Sequence, residues 1–98
     1  VEGKNSFVGI ASKDGSISVV ENINLVNVKI PFASYRKKKS YEHGLIKVKD
    51  PINLKNYVAK NIKDKKSDIY INGKKIKKFN NQVFNVVYKK KLNLINEQ

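Results

Sequence analysis

The chain has 98 residues, no cysteine and a formal net charge of +13. That length holds one domain, or a piece of a larger one, with a modest core; the missing cysteine excludes disulfides and thiolate metal sites. No apolar run approaches the roughly 20 residues of a membrane span, and the opening VEGKNS has no signal-peptide pattern.

Taken in chain order, the first element is the β-prone block VGIAS at 8–12, followed after a tight turn by GSISVVENINLVN at 15–27. Both blocks return. IPFAS at 30–34 resembles VGIAS, and GLIKVKDPINLKN at 44–56 repeats the longer block at a shift of 29. That shift aligns Gly15 with Gly44, Ile17 with Ile46, Val19 with Val48 and Glu21 with Asp50. It continues through Ile23 with Ile52, Asn24 with Asn53, Leu25 with Leu54 and Asn27 with Asn56. A weaker third copy runs through YVAK at 57–60 and SDIYINGKKI at 67–76. Apolar and polar residues alternate with period two and the apolar ones are largely β-branched, which predicts strands with one buried face. Ile17, Val19, Ile23, Leu25, Ile46, Val48, Ile69 and Ile71 take the inward places. Asn72-Gly73 predicts a turn between two strands. Beyond position 79 the repeat stops, and Val83 and Val87 fit either a short helix started by Asn80 or Asn81 or a strand.

Strands recurring every 22 to 29 residues without a helix between them predict stacked coils, each burying its inner face against the next. The pattern resembles the coils of right-handed parallel β-helix proteins of the pectin-lyase-like group. The resemblance implies an all-β fold, a right-handed parallel β-helix or solenoid of about three coils (7–29, 30–56 and 57–79, together 1–79) with residues 80–98 as a C-terminal cap or tail. An antiparallel barrel or sandwich is the competing fold, but it predicts no register between the copies. With only VEGKNS ahead of the first coil, preceding β-helix coils of the same longer chain are an expected partner. The group's usual setting points to a bacterial surface or secreted protein, extracellular or at the cell surface.

Chemistry-bearing residues are few. Stacked Asn24 with Asn53 and Asn27 with Asn56 predict a structural ladder that satisfies turn backbone. Glu21 and Asp50 stack as well, but both end a strand beside lysines, so they read as turn residues and not as an acid–base pair. His43, the single histidine, has no second His or Cys at ligand spacing. No catalytic, metal or cofactor set emerges.

The most informative stretch is YRKKKSYEHG at 35–44, an insertion relative to the first copy. It carries Tyr35, Arg36, Lys37, Lys38, Lys39, Tyr41 and His43, and the neighbouring NIKDKK adds Lys63, Lys65 and Lys66. Cations beside aromatic rings suit a polyanion. The charge has a competing source, because the twenty lysines, with abundant Asn and Ile, are also what an AT-rich genome encodes. Base-reading proteins rely on arginine forks, and Arg36 is the only arginine. The first reading is therefore a non-catalytic structural or binding section that contacts anionic polysaccharide. The second is a small basic nucleic-acid-binding β domain using Tyr35, Tyr41 and Phe32. The third is the end of a polysaccharide-active enzyme whose groove lies elsewhere in a longer chain.

Overall fold

The alternating segments do form strands. The computed structural model describes residues 1–38 and 40–95. Its strands are β1 (Glu2–Lys4), β2 (Val8–Lys13), β3 (Ile17–Val26), β4 (Ile30–Tyr35), β5 (Leu45–Lys55), β6 (Asn61–Lys63), β7 (Asp68–Ile71) and β8 (Lys74–Lys75). A short helix α1 (Val83–Tyr88) and a 3-10 turn (Leu92–Leu94) follow. β1, β3, β5 and β7 pair in parallel, and β8 returns antiparallel to β7, giving a five-stranded mixed sheet. β2, β4 and β6 form a separate three-stranded parallel sheet.

The main core lies between the two sheets and contains Ile23, Leu25, Val28, Phe32, Ile46, Val48 and Ile69. Helix α1 covers the other side of the small sheet, where Val83 and Val86 pack with Ile30, Ala33, Tyr35 and Ile62. The layers thus run large sheet, small sheet, helix. β4, in the middle, is buried along its whole length.

This architecture replaces the expected right-handed parallel β-helix. The sheets are open, one is mixed, and neither closes into a solenoid. One cause is local. Asn72 and Gly73 hold φ of 51° and 81°, the left-handed pair that folds two strands back on each other. Lys74 and Lys75 therefore pair with Ile71 and Tyr70, and the chain does not travel on. The residues expected to close the end of a stack lie instead flat on the outer face of the small sheet, as α1 and the turn after it.

The register also differs from the shift of 29. Ile23, Asn24 and Leu25 do pair with Ile52, Asn53 and Leu54. Upstream the shift is 28: Ile17 pairs with Leu45, Ser18 with Ile46 and Val20 with Val48. β5 has two residues, Asp50 and Pro51, where β3 has Asn22 alone, and the pairing slips there. A one-residue slip sends every side chain to the opposite face. Ile17 and Val19, expected inside, are consequently 69% and 65% exposed, while Val20 packs on the core. The third copy is displaced as well: Asn61, Ile62 and Lys63 pair with Phe32, Ala33 and Ser34, whereas YVAK leads into that strand.

Asparagines line one corner. Asn56 donates its side-chain amide to Asn27 Oδ1 at 2.9 Å, and Asn27 donates to Asn5 Oδ1 at 3.2 Å. All three hold positive φ (58°, 55° and 56°), which Asn tolerates better than other non-glycine residues. Asn24 and Asn53 are paired neighbours on the exposed face.

Candidate functional site

The insertion leaves β4 at Tyr35 and is pinned at once on both sides. Arg36 N–H donates to Asp64 Oδ2 at 2.9 Å, and Lys37 N–H donates to Asp14 Oδ1 at 2.7 Å. The basic side chains are thereby presented from a fixed backbone. Asp64 also accepts the Ser67 N–H at 3.0 Å and meets His43 Nδ1 at 3.1 Å. Burial alone would raise its carboxyl. The hydrogen bonds from Ser67, Arg36 N–H and His43 outweigh it and hold the group below the usual carboxylate range.

Around this anchor lies a cleft of about 430 Å³. Arg36, Lys37 and Lys38 reach it from the β4–β5 loop, and Lys65 and Lys66 from the β6–β7 loop. Asp64 and His43 also line it, and Phe84 of α1 contributes an aromatic wall. Among the described lining residues Asp64 is the one carboxylate, and its oxygens are committed to the protein's own donors. The cleft is accordingly an electropositive concavity of the kind that collects anions.

Asp64, His43 and Ser67 invite comparison with a catalytic triad. The geometry does not support one. Ser67 Oγ and Asp64 Oδ1 both approach the same ring nitrogen, Nδ1, at 3.4 and 3.1 Å, whereas a relay needs opposite nitrogens. Ser67 is fully buried, and its hydroxyl oxygen accepts the Gly44 N–H. These residues fasten the loop ends together. Among the described residues no three His, Cys, Asp or Glu side chains converge as a metal site, and no helix is long and apolar enough to cross a membrane.

The residues singled out in the sequence divide. Arg36, Lys37, Lys38, His43, Lys65 and Lys66 share the cleft. Tyr35 does not reach it: the residue is 2% exposed, packed beneath α1 with Tyr88 edge-on at 6.1 Å. Tyr41 is exposed beside Lys38, whose ammonium lies 6.0 Å from its ring centre. Lys63 is buried and donates to the carbonyl oxygens of Asp64 and Lys65. Lys39 lies outside the described residues.

Sequence reasoning missed Asp64, Phe84 and Tyr88. Phe84 and Tyr88, four apart on α1, stack at 4.7 Å. Lys13 donates to the Tyr88 hydroxyl at 2.6 Å, and Lys37 lies 5.7 Å from the ring centre. The Lys13 bond, then one from Tyr35, lowers the Tyr88 pKa; burial first, then the same tyrosine pair, raises that of Tyr35. The helical spacing of the two rings was the available signal, and it requires assigning the segment as helix. Comparison with family models, curated proteins and solved structures finds no significant match for this chain, so the site is read from its own geometry.

Proposed function

We propose that the chain is a non-catalytic binding module for an anionic polymer, with acidic polysaccharide as the ligand class. The observation that carries this reading is the convergence of Arg36, Lys37 and Lys38 with Lys65 and Lys66 on one cleft beside Phe84. Five cations from two loops, held by backbone bonds to Asp64 and Asp14, pre-organise the charge and lower the ordering cost of binding. Lysine supplies point charges on flexible stems, suited to carboxylate or sulfate groups at varied positions along a sugar chain.

The nucleic-acid reading loses two of the aromatic residues it rested on. Phe32 is 0% exposed and Tyr35 is buried under α1, so neither can stack on a base. A single-strand platform needs accessible rings in succession.

The test is titration of the protein with a fluorescent uronate octasaccharide, alongside a single-stranded oligonucleotide of equal charge. Replacing Lys37 and Lys38 with Glu should weaken octasaccharide binding at least about tenfold, and rising salt should weaken it steeply. Unchanged binding after that replacement would remove the cleft from the account, and tighter oligonucleotide binding would favour nucleic acid.

A further inference from the structure

The turn at 63–66 has a second side. Across it from the basic cleft is another cleft, of about 280 Å³, between the strand carrying Asn61 and Lys63 and the segment carrying Lys78 and Phe79. Lys63 is 3% exposed. Its ammonium has three N–H donors, and the described residues offer two acceptors, the carbonyl oxygens of Asp64 at 3.2 Å and Lys65 at 3.3 Å. No carboxylate among the described residues comes within ion-pair distance of it. Lysine is almost never fully buried without a partner, because desolvating the charge is costly. Beside it, the buried Asn61 Oδ1 has no hydrogen-bond donor. A buried ammonium that Asp68 and Asp64 attract only from beyond ion-pair distance, and an acceptor short of a donor, therefore line one cleft, a pairing that native interiors normally avoid.

Two further features describe what would fit. Lys60 and Lys78 add positive charge to the lining. The Phe79 ring forms one wall, with Lys63 Nζ 5.9 Å and Lys65 Nζ 6.0 Å from its centre. Lys65 also lines the first cleft. The adjacent Asn80 and Asn81 line the second and the first cleft respectively. The clefts are thus neighbours across one wall.

We infer that this second cleft is a subsite for a hydroxylated acidic ring of the same polymer. Lys63 receives a carboxylate oxygen, Asn61 Oδ1 accepts from an adjacent hydroxyl, and Phe79 supports the ring face. The inference rests on the reading of the first cleft as a polyanion site, and it narrows the ligand to a chain of uronate-type residues long enough to engage both clefts.

Alginate di- and octasaccharides, titrated into the intact chain by calorimetry, test it. The octasaccharide should bind at least about tenfold tighter than the disaccharide, because the second contact is intramolecular. K60A/K78A and K63M should each abolish most of that advantage. K63M also gives up the two carbonyl contacts of the ammonium, so its fold is checked by circular dichroism, and K60A/K78A, which leaves Lys63 in place, gives the independent reading. Octasaccharide binding that needs Lys37 and Lys38 but ignores both second-cleft variants would overturn the subsite and leave the first-cleft reading standing. Binding of neither oligosaccharide would remove both. A polyphosphate of equal length matching the octasaccharide would overturn the role of Asn61, because it brings no neighbouring hydroxyl.

Discussion

Asn56 hands its side-chain amide to Asn27 across 2.9 Å, and the two backbones share the same left-handed twist, with φ of 58° and 55°. Each residue solves a steric problem and a hydrogen-bonding problem at once. Asn27→Ala should lower stability by about 1–2 kcal/mol, from the positive φ and the lost amide bonds together. Asn27→Gly should cost less, since glycine removes the steric part. Urea unfolding of the pair checks the ranking, and equal losses would deny any role to φ.

Ile46 and Ile17 should respond oppositely to truncation. Ile46 is fully buried in the main core, so Ile46→Ala should cost about 2–5 kcal/mol. Ile17 faces outward beside Leu45, and Ile17→Ala should fall within about 0.5 kcal/mol of the parent. The same contrast orders Ile46→Asp well above Lys47→Asp. Matching unfolding midpoints would contradict the register.

Asp64 makes stability depend on pH. Its folded carboxyl ionises below the ordinary value of about 3.9. Ionised Asp64 therefore contributes stability above that value, and the contribution is lost as pH falls through the folded pKa. At neutral pH, Asp64→Asn should cost about 1–3 kcal/mol, because one of its oxygens becomes a donor facing N–H groups. The gap between parent and variant should narrow steadily below about pH 4. Denaturation series at several pH values would show it; a constant gap would mean the carboxylate's charge plays no part.

Gly44 admits no side chain. It is buried, and a Cβ there would fall on the Ser12 carbonyl oxygen and within 3.0 Å of Ser34 Oγ. Gly44→Ala should cost more than about 3 kcal/mol, because backbone rather than a flexible side chain must yield. At Gly73 a Cβ meets nothing within 4 Å and only φ of 81° opposes it, so Gly73→Ala should cost about 1–2 kcal/mol. Thermal melts of both variants give the comparison.

How much of this was legible follows from which signals are local. Ile46, Val48 and Ile69 read correctly as inward because alternation within one strand needs no partner. Ile17 and Val19 did not, because the alternation that runs through them to Ile23 and Leu25 is broken at Asn22, where the pairing with β5 slips by one residue. Period two forgives no irregularity, so unbroken alternation across Asn22 points Ile17 and Val19 to the wrong face. The basic loops stood out because charge is visible without a fold. Asp64 did not, since one acid inside NIKDKK looks like a diluted lysine run until its oxygens are seen meeting Arg36, Ser67 and His43. The solenoid expectation fails at Asn72-Gly73: the turn is legible locally, but the antiparallel return of Lys74 and Lys75 onto Ile71 and Tyr70 is a pairing that the repeat pattern does not carry.

The burial of β4 has a consequence for motion. With strands on both edges, a sheet on one face and α1 on the other, no local opening exposes its amides. The N–H groups of Phe32 and Ser34 should exchange with deuterated solvent only when the whole domain opens. Arg36 and Lys37 follow directly from that strand, so the cationic rim begins from a backbone buried along its whole length. Its lysine tips can sample many positions while their roots hold still.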